Sequence, residues 1–168
     1  LLKTLTATPG PSGMESDIAT VIAEIWRPFA DEVEIDHMGN VIATKYGSGD
    51  MPEGRPRLML SAHMDEIALM VTKIESHNGY GFLRVTNVGG IDKRQVLDQR
   101  VTVHGKRSMP GITACLPGSM LAEGKYGKVR DYDDLLIDVG LSAEKTESLV
   151  SIGDFVTFDQ SLHKLLGG

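Results

Sequence analysis

Apolar residues fall at Ile18, Val21, Ile22, Ile25, Trp26 and Phe29, a spacing of three and four that sets them along one face of a helix. Ser12 precedes this run and Glu15 stands three residues on, a capping-box pattern that predicts the helix start. Pro28 predicts its end. Leu1, Leu2 and Leu5 predict the tail of a short earlier helix packed nearby. The period then shortens. Val33 and Ile35 alternate with acids, Met38-Gly39-Asn40 reads as a turn, and residues 41–46 read as a returning strand, which together make a hairpin. A polar stretch of turn residues, 47–56, leads into "RLMLSAHMDEIALMV". There Leu58, Met59 and Leu60 predict the middle of a strand covered on both faces and ending at His63.

Beyond Glu66 the texture changes again. "IALMVTKIES", "GFLRVTNVGG", "QRVTVHGK", "GITACL", "DLLIDVG" and "DFVTFD" are short alternating segments separated by Gly, Asn, Pro and Asp turns. Such spacing predicts a small barrel or sandwich. Residues 142–150 interrupt the series with a helical turn or two, capped by Ser142. The organisation is therefore α/β over residues 1–66 and β-rich over 67–158, with 159–168 leading back toward the first part.

The 168 residues include 41% hydrophobic and 24% charged side chains, the balance of a globular protein. A net charge of −6 gives no reason to expect nucleic acid or an anionic membrane as partner. No apolar run approaches the length needed to span a bilayer. Cys115 is the single cysteine, so no internal disulfide forms and a reducing, cytoplasmic setting is expected. A first residue Leu1 in place of Met, with an abrupt end at "LLGG", leads us to expect a portion of a longer chain.

The chemistry concentrates at "HMDE". His63 and Asp65 are two apart, so on an extended strand both leave the same face. A histidine at a strand's carboxyl end can give one ring nitrogen to a metal while the other donates to a carboxylate that fixes its tautomer. Spacing alone does not select this over the plainer reading of a hydrogen-bonded strand-end histidine beside solvated acids, which carries more weight on chance grounds. One imidazole is also too few, since a zinc site takes at least three protein ligands.

Other candidates read as structural. His37, His77, His104 and His163 sit by turns, strand ends or the chain's last residues. Gly89-Gly90 lacks the Lys-Ser/Thr of a phosphate loop. Cys115 reads as a small buried side chain, and Ser12 and Ser119 lack a nucleophile-elbow context. The acids of "DYDDLLIDVG" lack the calcium-loop pattern and read as a charged turn entering a strand.

Taken in order, "GPSGMES", "DHMGNVIATKYG", "LSAHMDEIALMVT", "GFLRVTNVGGID", "LLIDVG" and "VSIGDFVTFD" resemble the glutamyl and tetrahedral aminopeptidase family of dinuclear metallopeptidases, some of whose members carry an endoglucanase label. The resemblance covers essentially the whole chain, and "AHMDEI" is its most specific piece. Ala68 departs from the family's usual glycine.

The resemblance implies an α/β catalytic domain, incomplete here, interrupted by a small β-barrel insertion that supports dimerisation and, through it, a homo-oligomeric cage. It implies that His63 ligates one of two divalent ions, zinc or cobalt, and that Asp65 orients it; Glu66 belongs to the motif without an assigned role. The substrates implied are peptides trimmed from the N-terminus. In the family the bridging aspartate, the general-base glutamate and the remaining ligands follow the barrel, so these 168 residues alone are expected to be inactive. Two further readings stay open: a non-catalytic oligomerisation module, and a glycoside hydrolase, which would need two carboxyl groups flanking a sugar groove.

Overall fold

A computed structural model of the chain describes residues 1–49, 56–116, 128–160 and 162–167. Most of the polar stretch 47–56, and Ser119, lie outside the described residues. The chain divides into two compact units, Leu1–Glu66 with Leu162–Gly168, and Ile67–Ser161.

In the first unit α1 (Leu2–Ala7) precedes α2 (Ser16–Trp26), and strands β1 (Glu32–Ile35) and β2 (Val41–Thr44) follow. Helix α2 buries Ile18, Ala19 and Ala23, whereas Trp26 and Phe29 at the end of the same stripe are exposed. Asp36 shapes the hairpin turn by accepting from the backbone N–H groups of Met38 and Asn40 and from the Asn40 amide. The strands pair antiparallel from Glu32 with Thr44 to Ile35 with Val41, as the alternation predicted.

Two expectations fail in this unit. Ser12 does not cap α2: the helix starts later, after Gly13, with Glu15 in the cap position and no side-chain cap bond. Glu15 instead accepts from the N–H of Gly13 at 2.7 Å. The turn residues Pro11, Ser12 and Gly13 outweigh the capping pattern because Ser12 has another partner. Nor do Leu58, Met59 and Leu60 form a strand; they lie outside any regular element and are 87%, 86% and 88% exposed. An apolar run becomes a buried strand only when neighbouring backbones take up its N–H and C=O groups. Among the described residues the pairing nearest this run is one isolated parallel bridge, Pro11 with Glu66.

In the second unit six strands close into a barrel: β3 (Ala68–His77), β4 (Tyr80–Val88), β5 (Arg100–His104), β6 (Ser108–Cys115), β7 (Leu135–Ser142) and β8 (Phe155–Phe158). The order around it is β3-β4-β7-β6-β5-β8, every pair antiparallel. Closure leaves no free sheet edge, which is how so short a stretch supports six strands. Alternate residues point inward: Leu69 and Val71, Leu83 and Val85, Val101 and Val103, Leu135 and Ile137, with Val156 from β8. The register of β3 against β4 shifts between Val71 and Lys73, as it does at a bulge. The buried Thr113 hydroxyl donates to the Val96 carbonyl and accepts from the Gln99 N–H at 2.8 Å, so its burial leaves nothing unpaired. Helix α3 (Ala143–Leu149) begins as predicted, with Ser142 Oγ accepting from the Lys145 N–H at 3.3 Å. The acids before β7 form a single 3-10 turn with a capping box between Asp131 and Asp134. Among the described residues no helix is long and apolar enough to cross a membrane.

On the barrel surface the Glu75 carboxylate accepts from Lys73 Nζ at 2.9 Å, Arg84 Nε at 3.0 Å and His77 Nε2 at 3.2 Å. The Lys73 bond first, then Arg84 and His77, lower its pKa to about 2 against the cost of burial. A folded-state pKa below the unfolded one means stability that is present above the unfolded value of about 4.5 and lost as pH falls toward about 2. Glu75→Gln should therefore cost roughly 2 kcal/mol at neutral pH, discounted for the exposed Lys73 and His77 ends. Thermal melts of both proteins from neutral pH to below pH 3 should show the gap closing through that acid window. A gap independent of pH would remove the electrostatic explanation.

Candidate functional site

The segment 10–13 and the segment 63–66 dock on each other within the first unit. Glu66 anchors the docking twice: its N–H donates to the Gly10 carbonyl at 2.8 Å, and its carboxylate accepts from the Gly10 N–H at 3.0 Å. Gly10 fits because no side chain intervenes. A Cβ there would lie 2.5 Å from Ile18 Cγ2, so glycine lets the segment pass directly over the buried face of α2. Met14 then bonds back to Pro11, its N–H 2.8 Å from that carbonyl. Glu66, which motif reading left without a role, is thus a structural clamp.

This docking brings Ser12 against Asp65. The Ser12 hydroxyl donates to Asp65 Oδ2. Asp65 Oδ1 lies 3.0 Å from His63 Nδ1, and the Asp65 backbone carbonyl lies 3.1 Å from the same nitrogen. Both oxygens can only accept, so Nδ1 carries the proton, and in the neutral ring the lone pair is on Nε2. The His63 side chain is 86% exposed and that of Asp65 37%. The Ser12 bond, and after it the His63 bond, hold the Asp65 carboxyl below the usual carboxylate range. A lowered pKa keeps Asp65 ionised and therefore an acceptor for the ring at neutral pH.

Sequence reasoning placed His63 and Asp65 on one strand face, and their side chains do meet, although the backbone there forms no strand. Ser12 was missed. The signal was present in "GPSG", where a glycine directly after a candidate cap argues for a turn rather than a helix start. An outward Nε2 with its proton fixed on the opposite nitrogen suits a divalent ion as one donor of a set. Among the described residues no three His, Cys, Asp or Glu side chains converge to hold a metal.

The remaining histidines lie elsewhere. His37 is exposed at the hairpin turn. His77 packs edge-on against Phe82 beside Glu75. His104 Nε2 lies 2.9 Å from the Thr157 hydroxyl. His163 is exposed in the first unit. Cys115 is half-buried in β6, opposite Leu135.

Comparison with known proteins finds that residues 39–168 match the sequence profile described as M42 glutamyl aminopeptidase. The chain is 37% identical over 166 residues to a lysyl aminopeptidase of Pyrococcus furiosus, covering 92% of this chain and 44% of that protein. Among solved structures, a TET aminopeptidase from a marine-sediment Thaumarchaeota archaeon superposes with a TM-score of 0.85 at 32% identity, over 99% of this chain and 46% of that one. A Pyrococcus horikoshii TET1 peptidase, described as able to assemble into a tetrahedron or a large octahedral shell, gives 0.77 at 34% identity, over 99% and 48%. The chain thus spans just under half the length of these relatives.

Proposed function

The chain belongs to the M42 glutamyl aminopeptidase family, and from that premise we propose that the whole protein is a metal-dependent aminopeptidase that removes N-terminal residues from peptides. His63 contributes one metal-ligating nitrogen, Nε2, and Asp65 keeps the proton on Nδ1. The observation that carries this reading is the pair of acceptor oxygens, 3.0 and 3.1 Å from Nδ1, behind a ring that is otherwise exposed. Two zinc or cobalt ions, when bound, would polarise the scissile carbonyl and acidify a water. Asp65 serves by orientation: an ionised carboxylate behind the imidazole makes it a better donor and fixes its direction. The remaining ligands and the general-base carboxylate come from outside residues 1–168, and these residues alone turn over no peptide.

The first unit, residues 1–66, is read as the opening part of an α/β catalytic domain left incomplete here. Residues 67–158 are read as a barrel insertion that supports dimerisation, with 159–168 returning to the catalytic domain. The assembly is a homo-oligomer, a reading supported by the shells described for the horikoshii relative. A cytoplasmic location suits a chain with one cysteine. A glycosidase reading loses support because both motif acids are engaged within the chain, Asp65 by Ser12 and His63, and Glu66 by the Gly10 N–H.

The test is Asp65→Asn in the full-length protein. A carboxamide can present its NH2 to Nδ1 and turn the ring's proton onto Nε2. Metal affinity should fall by about 10- to 100-fold. Hydrolysis of a peptide with a free N-terminus should fall with it, while an N-acetylated peptide stays uncut by the parent enzyme. Full peptide trimming after exhaustive chelation would end the proposal.

A further inference from the structure

We propose that Ser12 is a positioning residue for the candidate metal site, acting through Asp65 on the tautomer and direction of His63. Asp65 has two carboxylate oxygens facing two different partners: Oδ1 meets His63 Nδ1 at 3.0 Å, and Oδ2 receives the Ser12 hydroxyl. A carboxylate held at one oxygen only can rotate about its side-chain torsions; held at both, it presents Oδ1 to the ring in one orientation. The hold matters because the ring is 86% exposed. Besides Oδ1, Nδ1 meets the Asp65 backbone carbonyl at 3.1 Å, so a fixed carboxylate is what keeps both acceptors on the same nitrogen. Ser12 is in turn fixed by the backbone on either side. Gly10 is bonded to Glu66 through both its N–H and its carbonyl, and the Pro11 carbonyl accepts from Met14. Asp65 and Glu66 are adjacent, so the same docked segment that clamps Glu66 by backbone contacts orients Asp65 by a side chain. The chain thereby uses "GPSG" to set the geometry of "HMDE", some fifty residues away in sequence.

The effect on the ring requires only the hydrogen-bond geometry; the effect on metal rests on the proposed ligand role of His63. The experiment separates the two. Nitrogen-15 NMR of the metal-free full-length protein with labelled histidines, at a pH where the ring is neutral, reads which ring nitrogen carries the proton. In the parent, His63 should be the Nδ1–H tautomer. Ser12→Ala should move the population toward Nε2–H, and Ser12→Thr, which keeps the hydroxyl, should restore it. Ser12→Cys, close in size with only a weak donor, answers the same question if the alanine variant fails to fold. Cobalt titration of the full-length protein should then show about tenfold weaker binding for Ser12→Ala, the low end of what an outer hydrogen-bond partner contributes, and recovery in Ser12→Thr.

An unchanged tautomer in both Ser12→Ala and Ser12→Cys overturns the positioning role. A shifted tautomer with unchanged cobalt affinity leaves the hydrogen-bond relay standing but overturns its role in metal binding. If His63→Ala binds cobalt as well as the parent does, the ligand reading itself has failed, whatever the Ser12 variants show.

Discussion

His63→Ala in the full-length protein is expected to lower peptide hydrolysis by roughly a thousandfold, about 4 kcal/mol of transition-state stabilisation. Loss of an outer hydrogen-bond partner weakens a metal site by about 10- to 100-fold, and loss of a donor atom should exceed that. The fold should be untouched. The ring is 86% exposed and, among the described residues, bonds to the side chain and carbonyl of Asp65, two residues on, and substitutions at such places usually change stability by less than about 0.5 kcal/mol. The measurement is therefore paired: metal content by elemental analysis and kcat/KM on a free-amine peptide, beside a thermal melt. Activity lost with the melting temperature retained assigns the loss to the site. Activity and metal content within a few-fold of the parent would remove His63 from the chemistry.

The strands of the barrel were legible because their signals are local, whereas alternation left barrel and sandwich both open and only the family resemblance implied closure. Each strand needs only alternation over a few residues and a turn residue at each end, and all six strands were marked in this way. Ser142 followed by a short helical run was likewise enough to place α3. The first unit was harder because its elements depend on distant partners. The Leu58–Met59–Leu60 run has a strand's composition, but composition does not supply the neighbouring backbone that a covered strand requires. The site shows the same limit at finer scale. His63 and Asp65 are neighbours in sequence and their meeting could be read from spacing, whereas the contact between Ser12 and Asp65 spans 53 residues. No periodicity records such a contact; only the docking of Gly10 on Glu66 creates it. The capping-box pattern misled because Ser12 satisfies a local rule on paper while its hydroxyl is taken by a partner that appears only in the folded chain.

Gly105→Ala should destabilise the barrel by about 3 kcal/mol, through the close approach of two backbones. Gly105 lies just past β5, in the connection to β6. A Cβ built on it would sit 2.3 Å from the backbone carbonyl oxygen of Leu149 and 3.3 Å from Asp154 Oδ2. The Leu149 oxygen cannot swing aside as a side chain could, because it accepts from the Lys106 N–H at 2.8 Å and ends helix α3. Making room means moving the β5–β6 connection away from α3. That breaks the Lys106 bond and loosens Val150, which is 2% exposed and part of the core. Overpacking of this kind costs about 1–3 kcal/mol and the lost bond about 1 kcal/mol. For a unit of this size each kcal/mol lowers the melting temperature by about 4–8 °C, so a fall of about 15 °C is expected. Gly90→Ala is the control: it lies in the same unit, and an added Cβ there meets nothing within 4 Å. Calorimetry of both variants compares like with like, since each adds one methyl group and differs only in what that group meets. If Gly105→Ala melts within about 3 °C of Gly90→Ala, less than the 4–8 °C expected from a loss of even 1 kcal/mol, then α3 does not press on the β5–β6 connection as described. The packing that holds the helix against the barrel would then have to come from its other contacts.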